Sequence, residues 1–109
     1  MKCEACRADS LRATHEQTTE YMKQLPAWTI DAGTGVDRLQ RIFTFKDFVD
    51  ALAFTNGVGA IAEANDHHPL IITEWGRVTV QWWTHAIKGL HINDFILAAK
   101  TDELANPAQ

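Results

Sequence analysis

The sequence predicts an α+β fold: a four-stranded antiparallel sheet with three helices packed on one face, in the order α-β-β-α-β-β-α. Two pairs of short segments, each joined by a connection that contains glycine, predict two β-hairpins. Segments with helical spacing and helix-end signals predict the three helices. Because neither hairpin needs a crossover, an antiparallel sheet with helices on one side is expected. The 109 residues fit a single domain, residues 1–109, in which residues 1–14 form an N-terminal arm.

The first half of the chain predicts one helix and one hairpin. A short helix is expected over residues 14–24, because glutamates lie in its N-terminal half and a proline follows its end. Strands over residues 28–30 and 36–45 flank a loop with two glycines, which suits a hairpin. In the second of these strands, Phe43 and Phe45 mark the face that points to the core.

The longest helix is predicted over residues 46–65. Its apolar stripe is expected to consist of Phe48, Leu52, Thr55, Val58 or Gly59, and Ile61 or Ala62. Gly57 and Gly59 each weaken the helix by about 1 kcal/mol relative to alanine, so close packing against the sheet is their expected use. Because Pro69 pushes His68 into an extended conformation, the helix must end just before it.

A second hairpin and a final helix complete the predicted fold. Strands over residues 70–74 and 78–85 are joined by a tight turn. One face of the fourth strand carries Val78, Val80 and Trp82, and the other carries Arg77, Thr79, Gln81, Trp83 and His85. The final helix is capped by His91 or Asn93 and runs to Leu104.

Charge and hydropathy exclude two classes of partner. The net charge is −4 and no cluster of Lys and Arg exists, whereas nucleic-acid binders carry a basic patch, so no nucleic acid is expected as a partner. No apolar run approaches the roughly 20 residues that span a bilayer, so no membrane partner is expected either. The polar N-terminus lacks the apolar segment of a signal peptide, which predicts a cytoplasmic protein.

Both cysteines lie in the pattern Cys3-x-x-Cys6. A zinc site needs two further ligands at suitable spacing, and no second cysteine pair exists. A reduced, non-catalytic pair is the expectation for a cytosolic chain. A metal shared between subunits, with His15 as a further ligand, stays open as the alternative.

Histidines concentrate where the longest helix meets the second hairpin. His67 lies nine residues before Gly76 and His85 nine residues after it, so a hairpin centred near Gly76 brings His85 close to His67 and His68. Histidine exchanges protons near neutral pH, which makes these three residues candidates for acid–base chemistry. The plain alternative is that adjacent histidines at a helix end are solvated and stabilise the helix C-terminus.

Three histidines also suit zinc or iron. Adjacent residues in an extended segment project to opposite sides, however, which is poor geometry for binding one ion, and no metal site is predicted. Glu63 precedes His67 by one helical turn and either orients a histidine, binds a substrate N–H, or is a solvated carboxylate. His15 and His91 have no evident partners and are expected at the surface.

One spaced pattern runs through the centre of the chain: Glu63-x-x-x-His67-His68-Pro69, followed by Trp75, His85 and Asp94. This pattern resembles the signature of the pterin-4a-carbinolamine dehydratases, and the likeness covers about residues 20–105. Residues 45–48, at the start of the longest helix, and residues 84–94 also look like that family. The N-terminal cysteine pattern and residues 52–56 resemble its bacterial branch, which is associated with phenylalanine hydroxylase.

The resemblance implies a hydro-lyase that acts on 4a-hydroxytetrahydrobiopterin or a related pterin 4a-carbinolamine. Loss of water gives the quinonoid dihydropterin and recycles the cofactor of aromatic amino acid hydroxylation. The reaction needs an acid for the departing hydroxyl and a base for the proton on the neighbouring ring nitrogen, and near-neutral histidines suit both tasks. No metal or organic cofactor is implied.

The resemblance also implies the site residues. The catalytic set is His67, His68 and His85, and the substrate-binding set is Glu63, Trp75 and Asp94. His67 and His85 are expected to do the acid–base work on the leaving hydroxyl. His68 is expected to orient the pterin or to assist proton transfer.

The three substrate-binding residues have different expected parts. Glu63 hydrogen-bonds the pterin ring. Asp94 holds the histidine region in place, and Trp75 forms a wall of the pocket or packs against the fold.

Assembly and a second function stay open. Exposed sheet edges invite pairing with a second copy, so a homodimer with a continuous sheet is expected, while the resemblance also implies homotetramers. At least one of Trp82 and Trp83 is expected in the core or an interface, and their bulk, where animal relatives carry smaller residues, favours a dimer. The alternative function is a protein-binding or regulatory partner of phenylalanine hydroxylase, or of a transcription factor, without essential turnover.

Overall fold

The computed structural model describes residues 12–105, so Cys3 and Cys6 lie outside the described residues. Its elements in chain order are α1 (His15–Met22), β1 (Thr29–Asp31), β2 (Arg38–Thr44), α2 (Phe48–Asn65), β3 (Leu70–Glu74), β4 (Arg77–Trp82), a 3-10 turn (His85–Ile87) and α3 (Ile92–Ala105). The predicted α+β class and the element order are confirmed. None of the described helices combines the length and apolarity needed to cross a membrane.

The four strands form one antiparallel sheet in the order β1-β2-β4-β3. The two hairpins therefore meet through β2 and β4 at the centre of the sheet, where Leu39 lies opposite Trp82. β1 and β3 form the two edges. This order puts the C-terminal end of β4 in the middle of the sheet, next to the residues that enter β3.

The β3–β4 hairpin turns through Trp75 and Gly76, and Gly76 takes a positive φ of 74°, which favours glycine. The strand pairs place the centre of the hairpin between these two residues. The prediction centred the hairpin on Gly76 itself. Extending the observed register therefore sets His67 opposite Thr84 instead of His85.

β4 ends at Trp82 and not at residue 85 as predicted. The cause is a closed loop: the Thr84 N–H donates to the Gly89 carbonyl at 2.8 Å, and the Lys88 N–H donates to the His85 carbonyl at 3.3 Å. Backbone groups that bond within this loop cannot continue the sheet. His85 consequently stands on a 3-10 turn at the end of the strand.

The core lies between the inner face of the sheet and the helices α2 and α3. The buried sheet residues are Leu39, Phe43, Val78, Val80 and Trp82. The rings of Phe43 and Phe54 pack with centroids 4.6 Å apart. The Trp82 Nε1–H donates to the Thr101 hydroxyl of α3 at 3.0 Å, which satisfies the polar atom of this buried ring. The predicted inner face of β4 is confirmed.

The predicted apolar stripe of α2 is confirmed only in its second half, where Val58 and Ala62 are buried. The buried residues of the helix are Ala51, Phe54, Val58 and Ala62. Phe48 and Leu52, which began the predicted stripe, are 44% and 43% exposed. The helix is apolar on most sides, so spacing alone does not select the face. Small alanines at two of the buried positions let the helix approach the sheet closely.

Arg41 interrupts the apolar alternation of β2 and still points to the helical side of the sheet. Its Nη1–H donates to the Asp102 Oδ1 of α3 at 2.6 Å, and the Trp28 Nε1–H donates to the same oxygen at 2.8 Å. The guanidinium carbon also lies 4.3 Å from the Phe43 ring centroid. The pair ties the C-terminal part of α3 to β2.

The two glycines of α2 have different surroundings, and neither meets the sheet as predicted. A Cβ added at Gly57 would lie 2.7 Å from Leu104 Cδ2 of α3, whereas a Cβ at Gly59 would meet no atom of residues 12–105 within 4 Å. Gly57 therefore permits close packing of α2 on α3. Gly59 carries the helical cost of glycine without a packing reason.

Alanine at these two positions is expected to have different effects on stability. Gly59→Ala should raise the free energy of unfolding by about 0.5–1 kcal/mol, because it removes the flexibility of glycine from a helix interior. Gly57→Ala gains the same helix propensity but must displace Leu104, which offsets the gain by roughly 1 kcal/mol or more. Urea denaturation of both variants measures the difference, and equal gains would contradict the packing described for Gly57.

Candidate active site

The histidines around the second hairpin meet at one end of the sheet. A cavity of about 290 Å³ opens there, between the end of α2, the start of β3 and the turn that follows β4. It is lined by Asp66, His67, His68, Thr84, His85 and Ala86. The predicted approach of His85 to His67 and His68 is confirmed.

A tight helix end directly precedes the two adjacent histidines. Asp66 takes a left-handed conformation, with φ 48° and ψ 47°, which aspartate tolerates better than most residues. Its N–H donates to the Glu63 carbonyl at 3.3 Å, and the His67 N–H donates to the Ala62 carbonyl at 3.1 Å. This closes the last helical turn. The chain then leaves the helix so that His67 and His68 reach different carboxylates.

His67 is buried against α3, at 6% exposure. Its Nε2–H donates to Asp94 Oδ1 at 2.8 Å. The other Asp94 oxygen accepts the Thr84 hydroxyl at 2.8 Å and the His91 N–H at 2.9 Å. A fully buried carboxylate with three donors is well compensated, so this cluster is rigid and keeps the His67 ring in one orientation.

Asp94 reaches this position because it lies in the first turn of α3. His91 precedes the helix and donates its N–H to Asp94, while its own Nδ1 accepts the Asn93 N–H at 3.1 Å. The exchange satisfies the unpaired N–H groups of a helix start, as a capping box does. The positive end of the helix dipole also favours a carboxylate here.

The predicted surface position of His91 is wrong. His91 is 5% exposed, because its side chain caps α3. The capping role that the sequence offered for this residue is confirmed, and it is the reason for the burial.

His68 and Glu63 form an exposed pair beside the cavity. The distance between His68 Nε2 and Glu63 Oε2 is 2.5 Å. Spacing along the helix placed Glu63 one turn before His67. Because the helix ends at Asn65, His67 leaves that face and Glu63 meets His68 instead.

His85 completes the site from the end of β4. Its Nε2–H donates to the backbone carbonyl of His68 at 3.1 Å. A carbonyl oxygen can only accept, so the neutral His85 ring holds its lone pair on Nδ1. The Thr84 bridge to Gly89 holds the turn that carries this ring.

Trp75 lies apart from the other predicted site residues of the chain. It is 72% exposed and occupies the turn between β3 and β4, at the opposite end of the hairpin from His68 and His85. Among residues 12–105, no three His, Cys, Asp or Glu side chains are arranged to hold a metal ion.

Thr84 lines the cavity and bonds Asp94, but it was not among the predicted site residues. It is 1% exposed. One signal was available: Thr84 is adjacent to His85, and its side chain must point to the opposite side of the chain from that residue. A hydroxyl directed inward at this point needs a buried acceptor, and Asp94 is the acceptor.

A family model for pterin 4 alpha carbinolamine dehydratase matches residues 12–104. The chain belongs to this family. The match extends over every element of the described fold, including all the residues that line the cavity.

Two solved structures show how this pterin 4 alpha carbinolamine dehydratase fold is used elsewhere. A transcriptional coactivator/pterin dehydratase from Brucella melitensis is 32% identical, with a TM-score of 0.80, and the match covers 87% of this chain and 99% of that one. A pterin dehydratase-like protein, identified as a RuBisCO assembly factor in the alpha-carboxysome, has a TM-score of 0.61 over 72% of this chain and 89% of its own. At 21% identity, the second likeness shows the fold alone. Because these proteins have different described roles, the fold does not by itself assign an activity.

Proposed function

We propose that this protein is a 4a-hydroxytetrahydrobiopterin dehydratase, which removes water from the pterin 4a-carbinolamine to give the quinonoid dihydropterin. The observation that carries the proposal is the convergence of His67, His68 and His85 on one cavity, each ring with its own acceptor. Family membership supports the class of substrate. The reaction would recycle the cofactor of aromatic amino acid hydroxylation.

The chemistry needs one proton donor and one proton acceptor. The bond between C4a and its hydroxyl oxygen breaks, the proton on the neighbouring ring nitrogen leaves, and a carbon–nitrogen double bond forms, so one water is released. A positioned acid and base accelerate such a step by about 10²–10⁴-fold each. Two histidines that line one cavity supply this pair without a cofactor.

The hydrogen bonds favour particular roles for two of the histidines. His85 offers the Nδ1 lone pair of a neutral ring, which suits the base that takes the ring-nitrogen proton. His67 donates to Asp94, and a buried carboxylate in that position fixes the ring and stabilises charge on it during proton transfer, as in a Ser-His-Asp triad. His67 therefore suits the acid: with both ring nitrogens protonated, one N–H stays on Asp94 and the other gives its proton to the departing hydroxyl.

The remaining predicted residues act around these two. His68 lines the cavity and pairs with the exposed Glu63, which suits orientation of the pterin and a hydrogen bond to one of its ring N–H groups. Asp94 acts through His67. Trp75 lies at the far end of the hairpin, so a part in substrate binding requires the cavity of a second copy.

A turnover assay tests the proposal. The carbinolamine is generated in solution, and its decay is followed by absorbance with and without the purified protein. We expect decay well above the buffer rate, and we expect the rate to survive treatment with a chelator, since acid–base chemistry by histidines needs no metal. Decay at the buffer rate with folded protein would exclude a dehydratase.

We also propose that the protein is a cytoplasmic homodimer or homotetramer. Exposed apolar residues support this: Val49 and Leu52 on α2 are 73% and 43% exposed, and Leu70 and Ile72 on the edge strand β3 are 38% and 46% exposed. Apolar surface and an unpaired strand edge both invite association. Light scattering should give two or four times the chain mass of 12.2 kDa, and a mass of 12.2 kDa would contradict it.

A protein-binding or regulatory role is the second candidate. The apolar surface of α2, which includes the half-exposed Phe48, would suit a helical partner such as a segment of phenylalanine hydroxylase or of a transcription factor. The Brucella relative, a transcriptional coactivator/pterin dehydratase, favours keeping this candidate. A folded protein that binds such a partner and shows no turnover would support it over the enzyme.

A further inference from the structure

A cation and two aromatic rings form a layered stack on the outer face of the sheet, the face opposite the described helices α2 and α3. The ring centroids of Trp83 and His85 lie 4.4 Å apart, with their planes at 33°. The guanidinium carbon of Arg38 lies 3.8 Å from the Trp83 ring centroid. Trp83 therefore connects a permanent cation to one of the cavity histidines.

Neighbours on the same face hold Arg38 over the ring. Its Nη1–H donates to the Gln81 side-chain oxygen at 3.1 Å. The buried Gln81 donates in turn to Gln40 Oε1 at 2.6 Å and to Asp31 Oδ2 at 3.2 Å. This network joins β1, β2 and β4, so the guanidinium is fixed by three strands.

The position of Arg38 is unfavourable for stability. Its Nε atom is buried and has no hydrogen-bond partner among the residues that the structure describes. A buried donor without an acceptor costs free energy, and an apolar side chain over the tryptophan would avoid that cost. A buried donor that lacks an acceptor and adds no stability points to a functional reason for the residue.

We propose that Arg38 and Trp83 are positioning residues for His85, an inference that rests on the proposed dehydratase function. The hydrogen bond from His85 Nε2 to the His68 carbonyl fixes one point of an exposed ring and permits rotation about that bond. Stacking on Trp83 fixes the plane of the ring. The two contacts together set the direction of the Nδ1 lone pair, and Arg38 holds Trp83 in the stack.

Kinetics and NMR of four variants test this assignment. Trp83→Leu removes the aromatic face, Trp83→Phe keeps it, Arg38→Met keeps the length but removes the charge, and Arg77→Met is the matched control. Arg77 lies on the same outer face and pairs with Glu74 at the other end of β4. The measured quantities are kcat, KM, the melting temperature and the His85 ring signals in a ¹H–¹³C spectrum, assigned with His85→Gln.

We expect a specific pattern of results from these variants. Trp83→Leu should lower kcat by about tenfold to a hundredfold with little change in KM, the scale of a small misplacement of a reacting group. Trp83→Phe should restore most of the loss, Arg38→Met should lower kcat by less, and Arg77→Met should not change it. The His85 ring protons, shielded by the Trp83 ring, should move downfield in Trp83→Leu and stay near their original positions in Trp83→Phe.

Three outcomes separate failure of this inference from failure of the proposed function. An active wild type with unchanged kcat in Trp83→Leu and Arg38→Met would overturn the positioning role. Unmoved His85 signals in Trp83→Leu would overturn it whether or not the protein turns over the pterin. If Trp83→Leu does not fold, the kcat and the His85 signals of Arg38→Met test the positioning role instead. If the wild type is inactive but the His85 signals shift in Trp83→Leu, the proposed dehydratase function is wrong. The stack would still determine the position of the His85 ring.

Discussion

Replacing Asp94 by alanine is expected to lower the free energy of unfolding by about 3–5 kcal/mol, because each buried donor that loses its acceptor costs about 1–3 kcal/mol. The variant would leave three buried donors without an acceptor: the His67 Nε2–H, the Thr84 hydroxyl and the His91 N–H. Asp94→Asn preserves the shape of the side chain and accepts some of these hydrogen bonds, so it should lower the free energy of unfolding by less. Both variants should also lower kcat, because the His67 ring loses the carboxylate that orients it.

Urea denaturation of the variants measures the effect. Glu103→Ala is the matched control, since Glu103 is an exposed carboxylate on the same helix and its loss should change stability by no more than about 0.5 kcal/mol. A loss below about 1 kcal/mol for Asp94→Ala would mean that the cluster around the carboxylate is not the rigid centre described above.

Replacing His85 by glutamine is expected to lower kcat by about 10²–10⁴-fold while leaving stability almost unchanged. The side chain is exposed, so little packing is lost, but glutamine cannot act as a base. His67→Gln should lower both kcat and the free energy of unfolding, because His67 is buried against Asp94. The contrast between the two variants separates an effect on catalysis alone from an effect on both catalysis and stability.

The assay for this prediction is the same carbinolamine decay, accompanied by thermal unfolding of each variant. His15→Gln is the matched control, since His15 is exposed on α1, away from the cavity. A kcat for His85→Gln within about threefold of the wild type would rule out His85 as a catalytic group, because a positioned base contributes far more.

Much of the candidate site was predictable because its determinants are local. The spacing of His67 and His85 about Gly76 is a property of a single hairpin, and the proline at position 69 ends α2 beside them. Alternation along β4 identified the inner face that carries Trp82. Each of these inferences needs only residues that are close in the chain, so a single sequence is sufficient.

The failures share a different cause. The predicted register of the hairpin was wrong by one residue. Spacing alone does not distinguish a turn through Trp75 and Gly76 from a turn centred on Gly76. Phe48 and Leu52 were assigned to the core, since a helix with apolar residues on most sides has no distinctive stripe. His91 was assigned to the surface although the sequence offered it as a cap of the final helix, because a capping role does not by itself show whether the side chain is buried.

By itself, the sequence determined the α+β class, the order of the elements, and the set of histidines that meet at the hairpin's open end. Only the tertiary structure decided which acceptor each histidine received: Asp94 for His67, Glu63 for His68, and the His68 carbonyl for His85. Local periodicity sets the direction of a side chain within its own element. Partners come from elements packed against each other, such as α3 against the loop that carries His67, and packing of that kind depends on the whole chain.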